Sequence, residues 1–484
     1  MKYVFLLIFS LFISDITAQE ISFLKHFNFA EYGHPESIVQ QGNNYLLLAY
    51  EYSPPNYHGH QHIIYKIDGA TGSCQDSTYL SDIIGYEQRR CCLMKKNNDS
   101  ILISGSYEKN SMYYIYTGMV QSSNLSFTPI VIDSLPYETV VHTYLINSIG
   151  NLVIMTINPD TSGFLVNYGL YELDSSFTVV KHVITTHKDG YLAGIAETKN
   201  DSCYLLSSTN WTVKVNYDFE ITDTLLEDVI SYVGYLKQYN PNTFFSNWFL
   251  YVNGDPPQDL GDRFIGLFKY TSNGVCIDTF VYGMPEKDQD NSQVGFLDFK
   301  TNDTLFSCGI AGYIDPDMAY DNWMDIVKMD SSGNIIWQKF LGYDANYLFC
   351  TIAATDDGGC IVAYAYWDWR TQMNKKTDII VVKLDKYGNS PVGISEPVFR
   401  KNGRVSVYPN PALVDLNILI KGVTNAEIIL SDLTGRVCHR QHLSGQCNRL
   451  DISSFSSGIY FYSVFSGQTV IGQGKFVKGQ GSAQ

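Results

Sequence analysis

Residues 356–365 read DDGGCIVAYA, and residues 378–388 read DIIVVKLDKYG. In the first stretch a polar turn precedes an apolar run, and in the second an apolar run ends at another polar turn. Short apolar runs between turns rich in Asp, Asn and Gly are typical of buried β-strands. This pattern decides the fold, because it returns throughout the first 400 residues.

The turn followed by an apolar strand occurs seven times, at residues 42–50, 97–106, 149–157, 200–208, 240–249, 302–310 and 356–365. Each time a second strand follows and ends at another turn, near Asp68, Ser122, Asp174, Asn216, Ser272, Asp330 and Asp385. The second turns of successive units are 42 to 58 residues apart. Units of this length with several strands each indicate the blades of a β-propeller.

Each unit is interpreted as four strands, so we expect an all-β chain with a seven-bladed β-propeller over residues 19–393; six or eight blades remain open. The last unit lacks a clear fourth strand, because Pro391 interrupts it. Residues 21–30, ISFLKHFNFA, are similar to the fourth strand IIWQKFLG at 335–342. We therefore predict that this N-terminal segment completes the last blade and closes the ring.

The repeated Asp and Gly of the second turn have a local explanation. An Asp side chain hydrogen-bonds nearby backbone amides, and Gly adopts a positive φ. We expect these residues to form turns rather than a catalytic site.

Composition and charge limit the function. The chain has 36 Tyr, 26 Phe and 38 Gly, and only 17% of its residues are charged, which suits strands joined by tight turns. The net charge is −16, but residues 401–484 carry +4, so the first 400 residues carry −20. Because an acidic body repels phosphate groups, we expect no nucleic acid partner.

The N-terminus has the layout of a cleaved secretory signal over residues 1–18. Lys2 precedes an apolar run from Tyr3 to Ile13, and Ala18 is a small residue at the expected cleavage site. The run is too short to cross a bilayer, and no later run is long enough, so we expect no transmembrane segment.

A polar linker at 394–403 precedes a different pattern over residues 404–484. Four segments stand out in order: YPNP after Val407, LSDLTGRV at 430–437, SGIY at 457–460 and GKFVK at 474–478. Apolar residues alternate through Leu416, Ile418 and Ile420, and again through Ile459 and Phe461 towards Ser463-Val464. We expect a small Ig-like antiparallel β-sandwich with these residues on its apolar faces.

The four segments resemble the type A C-terminal sorting domain of the type IX secretion system of Bacteroidetes. The resemblance implies a protein released outside the cell or attached to its surface, with the type IX translocon and a sortase-like peptidase as partners. It assigns the sorting signal to Val407, Tyr408, Pro409, Asn410, Pro411, Asp432, Gly435, Arg436, Gly458, Ile459, Tyr460, Lys475 and Lys478.

Three clusters could carry chemistry. His58, His60 and His62 alternate in the long loop of the first unit, where they are either metal ligands or part of a solvated loop. A second cluster suits either calcium or a solvated loop and comprises Asp315, Asp317, Asp321 and Asp325. Residues 364–369, YAYWDW, form either a ligand-binding rim or packing between blades.

Ten cysteines in an exported chain could form disulfides. Cys438 and Cys447 flank an expected hairpin turn at Ser444-Gly445 and are the best candidate pair. Free buried thiols are the alternative for the other cysteines.

Two function classes remain open. No P-loop, nucleophile elbow or zinc-protease motif is present in the sequence, so no catalytic residues, metal or cofactor are assigned. We favour a binding propeller that takes a glycan or a protein. The alternative is a secreted enzyme, a glycan hydrolase or lyase, which requires carboxylates, or a carboxylate with His and Arg, to converge at the central channel.

Overall fold

A computed structural model of the chain forms two compact units, residues 1–394 and 395–484. It describes residues 22–29, 32–52, 61–86, 88–96, 100–121, 123–159, 165–188, 192–198, 203–208, 211–226, 236–240, 243–255, 259–271, 275–284, 289–290, 297–301, 304–312, 320–371, 376–389, 405–408, 412–420, 425–432, 436–445, 447–466 and 469–479. The predicted signal peptide at 1–18 and the linker at 394–403 lie outside these ranges.

The first unit is a β-propeller of antiparallel sheets, which we call blades. Strand β1, Phe23–Phe27, precedes them. Blades 1 to 3 comprise β2 Tyr32–Gln41, β3 Asn44–Tyr52, β4 Gln61–Asp68 and β5 Cys74–Tyr79; β6 Gln88–Lys95, β7 Ile101–Lys109, β8 Met112–Val120 and β9 Ile130–Leu135; and β10 Val140–Ile146, β11 Leu152–Pro159, β12 Leu165–Leu173 and β13 Val179–Lys188. The single described helix, α1, spans Leu80–Ile84 after blade 1.

Blades 4 to 7 follow the same order. They comprise β14 Leu192–Thr198, β15 Cys203–Ser208, β16 Trp211–Asn216 and β17 Ile221–Leu226; β18 Leu236–Asn240, β19 Thr243–Asp255, β20 Asp259–Thr271 and β21 Cys276–Tyr282; β22 Gln289–Asp290, β23 Leu297–Thr301, β24 Thr304–Ala311, β25 Trp323–Asp330 and β26 Ile335–Gly342; and β27 Asn346–Ala354, β28 Cys360–Trp367 and β29 Asp378–Leu384.

The first long strands of neighbouring blades form a closed ring. Strand β2 contacts β6, β6 contacts β10, and the contacts continue through β14, β18, β23 and β27 back to β2. These seven inner strands surround the axis, and the fourth strand of each blade lies at the outside. The all-β propeller predicted from the turn-and-strand repeat is therefore confirmed.

The N-terminal strand closes the ring as predicted. Strand β1 pairs antiparallel with β29, with Phe23 opposite Lys383 and Phe27 opposite Ile379. Phe23 and Phe27 are buried against the apolar side chains of blades 1 and 7. The similarity of residues 21–30 to the outer strands thus has a structural cause, because they occupy the same position in a blade.

The repeated Asp residues organise turns, as expected. The Oδ1 atom of Asp330 accepts hydrogen bonds from the backbone N–H groups of Ser332 and Asn334, both at 2.9 Å. Gly333 in this turn has a φ of +80°. In blade 4, Phe219 takes the corresponding position at +65° while its ring is buried in the core. Packing of the ring offsets the strain of a positive φ there.

We predict that the buried carboxyl of Asp325 makes the stability of the propeller depend on pH. Asp325 is buried in β25, and both carboxylate oxygens accept from Gln338 Nε2, at 2.9 and 3.1 Å. Burial raises the pKa of this carboxyl from 3.8 to about 7. The contribution of Asp325 to stability is therefore complete below 3.8, its pKa in the unfolded chain. This contribution is lost as the pH rises through about 7, its pKa in the folded protein. A shift of this size corresponds to up to about 4 kcal/mol.

We expect Asp325→Asn to remove most of the fall in the free energy of unfolding between pH 5 and 8, measured by urea unfolding. Asp330→Asn on the same strand is the control, because hydrogen bonds from Asn334 lower the pKa of Asp330. Identical pH slopes for Asp325→Asn and the parent protein would contradict the prediction.

The second unit contains two antiparallel sheets around one apolar core. The strands are β30 Val405–Tyr408, β31 Asp415–Ile420, β32 Asn425–Ser431, β33 Val437–Ser444, β34 Cys447–Asp451, β35 Gly458–Ser466 and β36 Thr469–Lys478. One sheet has the order β30-β31-β34 and the other β33-β32-β35-β36. Leu416, Ile418 and Ile420 lie in the core as predicted.

Two expectations for this unit were wrong. In β35 the core-facing residues are Tyr460 and Val464, whereas Ile459 and Phe461 are exposed. Apolar residues occur on both sides of this strand, so alternation does not decide which side faces the core. The strands before and after Gly445 belong to different sheets. The hairpin expected to bring Cys438 and Cys447 together therefore does not form, and Cys438 has a free, exposed thiol.

Candidate functional site

A cavity of about 360 Å³ lies among the inner strands of the propeller. Strands β2, β6, β10, β18, β23 and β27 each contribute to its wall. The polar and charged side chains at the wall include Glu36, Lys95, His142, Lys237, Asp298 and Thr351. We call this space the axial cavity.

Glu36 and His142 are positioned by irregularities in the inner strands. The register of β2 against β3 shifts between Pro35 and Ser37, so that Glu36 is the extra residue of a β-bulge. His142 is the extra residue of a bulge in β10. Bulges change the direction of a side chain relative to a regular strand and are frequent next to functional sites.

Arg90 links these two residues across three blades. Its Nη1 atom lies 3.2 Å from His142 Nδ1. Burial raises the pKa of the Glu36 carboxyl, and the positive charge of Arg90 offsets part of this effect. The carboxylate, guanidinium and imidazole of Glu36, Arg90 and His142 therefore form one electrostatically connected group, which we call the cavity triad.

Lys237 and Asp298 are used to hold blades together. Their side chains form an ion pair between β18 and β23. The second carboxylate oxygen of Asp298 accepts a hydrogen bond from the backbone N–H of Ala354 in β27, at 2.7 Å. Blades 5, 6 and 7 are thus connected at the cavity wall, and the two charges neutralise each other.

Lys95 differs from Lys237. It lies at the end of β6, is partly exposed, and contributes to the cavity wall. Within the ranges that the structure describes, Lys95 has no ion-pair partner.

Aromatic rings lie beside the cavity triad, near the start of the inner strands. His34 stacks on Tyr50 with ring centroids 4.9 Å apart and contacts Phe349 at 4.3 Å. Phe349 is the extra residue of a bulge in β27, with a φ of +35°, and 41% of its surface is exposed. A bulky residue at positive φ is strained, so surrounding structure must hold it there.

The histidine run is only partly described. His62 lies in β4, is buried, and packs 5.6 Å from the ring of Tyr50, whereas His58 and His60 are outside the described residues. A buried strand position does not fit the solvated loop expected for His62. No group of three or more His, Cys, Asp or Glu residues that could hold a metal occurs in the described ranges.

The acidic cluster separates into different contacts. Asp321 forms an ion pair with Arg370 and accepts a hydrogen bond from Trp369 Nε1 at 3.1 Å. Asp325 is buried beside Gln338, as described above. Asp315 and Asp317 lie outside the described residues, and calcium binding stays a prediction.

The aromatic segment 364–369 mainly packs between blades. Tyr364 and Trp367 are buried. The hydroxyl of Tyr364 donates to the backbone oxygen of Gly309 in blade 6, at 2.9 Å. Tyr366 and Trp369 are partly exposed.

The residues of the sorting signal divide into core and surface positions. Tyr460 and Lys478 are buried, and Val407 packs against the core. Asp432 accepts from the backbone N–H of Arg436 at 3.1 Å and pairs with its side chain. The exposed positions are Arg436, Gly458, Ile459 and Lys475. Pro409, Asn410, Pro411 and Gly435, with the side chain of Tyr408, are outside the described residues.

Residues 406–478 match the family described as the secretion system C-terminal sorting domain. The chain therefore carries a type IX sorting domain and is exported, to the cell surface or the medium. Within the described ranges no helix has the length and apolar character needed to cross a membrane. No curated protein matches the chain in sequence.

Solved structures with similar folds are distant. A protein of unknown function from Bacteroides caccae is 14% identical, with 58% of this chain and 93% of that chain covered and a TM-score of 0.36. A virginiamycin B lyase from Staphylococcus aureus is 11% identical, with 75% and 99% covered and a TM-score of 0.38. The WD40 domain of a Toxoplasma gondii coronin is 9% identical, with 75% and 86% covered and a TM-score of 0.41.

Proposed function

We propose that the protein is an exported binding protein whose axial cavity holds a small, acidic, polyhydroxylated ligand, such as a uronic acid unit of a glycan. The volume of about 360 Å³ falls within the range of roughly 300–1,000 Å³ found for small-molecule sites. The observation that carries the proposal is the position of Lys95 at the same cavity wall as Glu36 and His142, the two members of the cavity triad that line it.

The balance of charge favours an anionic ligand. Lys237 and Asp298 neutralise each other. The remaining charged side chains at the wall are Lys95 and Glu36, and Arg90 adds its positive charge by acting electrostatically on Glu36. Because this set has an excess of positive charge, a ligand carboxylate would be stabilised there. The Thr351 hydroxyl and the Glu36 carboxyl are suited to hydrogen bonds with sugar hydroxyls.

Lys95→Met is expected to weaken the binding of glucuronate about tenfold or more, because a hydrogen bond to a charged group contributes about 1.5–3 kcal/mol. Calorimetric titration of the purified protein with glucuronate and with glucose measures this effect. Lys25→Met in the outer strand β1 is the control and should bind as the parent does. Equal affinity for both sugars, or no binding of either, would overturn the proposal.

The pH dependence of binding follows from Glu36. Since burial raises its pKa, the protonated carboxyl persists to higher pH than usual and can donate to a ligand carboxylate. Ionisation of Glu36 removes this hydrogen bond and places two negatively charged carboxylates, its own and that of the ligand, next to each other. We expect the affinity for glucuronate to fall as pH rises through the raised pKa, and Glu36→Gln to bind with little pH dependence. A pH profile that is the same in both proteins would argue against a role for Glu36.

A second candidate function is that of a glycan hydrolase or lyase. It is favoured by the approach of a carboxyl, an imidazole and a guanidinium in the cavity triad, since a carboxyl with a raised pKa is suited to general acid catalysis. Incubation with a glucuronate-containing oligosaccharide, followed by chromatography, tests it. Cleavage that disappears in Glu36→Gln while binding persists would identify an enzyme.

A further inference from the structure

The four-stranded sheet of the sorting domain has one side in the core and one side exposed. Tyr460, Val464 and Phe476 project from β35 and β36 into the core shared with the other sheet. The residues directly before and after each of these three project to the opposite side. This exposed side carries several apolar residues.

Four exposed apolar residues lie on that side. Ile459 lies directly opposite Val477, and Phe461 lies opposite Lys475 and Ser431. Ser431 in turn lies opposite Val437. Directly opposed residues of antiparallel strands share a face. Their exposed fractions are 39% for Ile459, 42% for Phe461, 39% for Val477 and 54% for Val437. We call these four residues the outer strip.

Folding does not account for the outer strip. The segment SGIY contributes Tyr460 to the core, but its Ile459 is exposed. The segment GKFVK contributes Phe476 to the core, but its Val477 is exposed. Exposed side chains contribute little to stability, whereas contiguous apolar patches at a surface mark interaction sites. The sequence segments by which the domain is recognised therefore contain residues whose role is at the surface.

The charges around the strip indicate the partner. Lys475 is exposed within the strip, whereas Arg436, which directly precedes Val437, is paired with Asp432. The one described carboxylate on this face, Glu427, pairs with Arg440 at 3.0 Å. The sheet therefore offers exposed apolar side chains with the positive charge of Lys475 among them.

We propose that the outer strip is the surface by which the type IX export machinery binds this protein. The partner surface is apolar, to cover Ile459, Phe461 and Val477, and has an acidic side chain placed to meet Lys475. The match of residues 406–478 to a sorting domain identifies the machinery as the occupant, since recognition by it is what such a domain is for. This inference does not depend on the ligand of the axial cavity.

The test replaces Ile459, Phe461 and Val477 by Thr in the full chain, in the host that exports it. Thr retains the branched shape that suits strands while removing apolar surface. Cell fractionation with immunodetection measures how much protein is exported. We expect export to fall about tenfold or more, as expected for loss of at least 1.4 kcal/mol of binding free energy, and folded protein to accumulate in the periplasm.

The control variant removes a similar apolar surface elsewhere, by Val275→Thr, directly before the outer strand β21, and by Ile335→Thr and Ile336→Thr in the outer strand β26. It should be exported as the parent is. Protease resistance of the periplasmic pool shows whether the triple variant is folded. If it is unfolded, the single variants Phe461→Thr and Lys475→Glu decide, and each is expected to reduce export.

Export of a folded triple variant at the parent level would overturn the proposal. So would normal export by both single variants. A purified parent protein that dimerises through the strip, with the dimer lost and export kept in the triple variant, would also overturn it and assign the strip to a second copy of the chain.

Discussion

Deletion of residues 404–484 is expected to leave the protein in the periplasm, with less than about a tenth of the parent amount reaching the surface or the medium. The matched sorting domain lies at 406–478, so the deletion removes the whole export signal while the N-terminal signal is retained. The propeller should still fold, because every apolar cluster of the first unit consists of its own residues. Fractionation with an antibody against the propeller measures the distribution.

Two controls make this result specific. Removal of residues 480–484 alone, beyond the last strand, should leave export unchanged. Attachment of residues 394–484 to an unrelated periplasmic carrier should cause export of that carrier. Normal export after deletion of 404–484, with a folded propeller, would show that a second export signal lies upstream.

The fold was predictable because the second and third strands of each blade carry strong local signals. Strands β11 and β28 are continuous apolar runs, and Asp330 and Gly333 specify a turn by hydrogen bonding and positive φ. The closure by β1 was also predictable, since residues 21–30 have the pattern of an outer strand. These signals are local, and they repeat.

The candidate site was not predictable in the same way. Glu36, Arg90 and His142 lie on three inner strands and come together only when the ring closes. The bulges that position Glu36 and His142 leave no sequence signature. A usable signal did exist, because each of these residues precedes the first turn of its unit by six to eight positions. A polar residue that recurs at that place in the first three units indicates an inward-facing position.

The outer strip shows a second limit of prediction from sequence, because alternation of apolar and polar residues does not always reveal which face of a strand is buried. Residues 459–462 read IYFY, so both faces of β35 are apolar and the pattern is compatible with either orientation. The neighbouring strand decides, because Phe476 lies opposite Tyr460 and both rings pack in the core, with centroids 5.6 Å apart. Packing of this aromatic pair fixes the register and leaves Ile459 and Phe461 outside.

Loss of the two buried rings of β1 is expected to destabilise the propeller strongly. Replacement of a buried Phe by Ala costs about 3–5 kcal/mol, so Phe23→Ala with Phe27→Ala approaches the whole stability of a typical domain, roughly 5–15 kcal/mol. The effect should be larger than the lost area alone implies, because β1 also covers the edge of β29. Thermal unfolding of the mature protein measures it, with Lys25→Ala as the control in the same strand.

A peptide added in trans separates closure of the ring from general damage to the core. A chain that begins at Tyr32 lacks β1 and exposes the hydrogen-bonding groups of β29, which is a template for association with other chains. A peptide of residues 19–31 should restore its thermal stability, because the pairing of Phe23–Phe27 with β29 is antiparallel and needs no covalent link. The same peptide with both Phe residues replaced by Ala should not. If the truncated chain unfolds at the parent temperature without any peptide, β1 does not close the ring in solution.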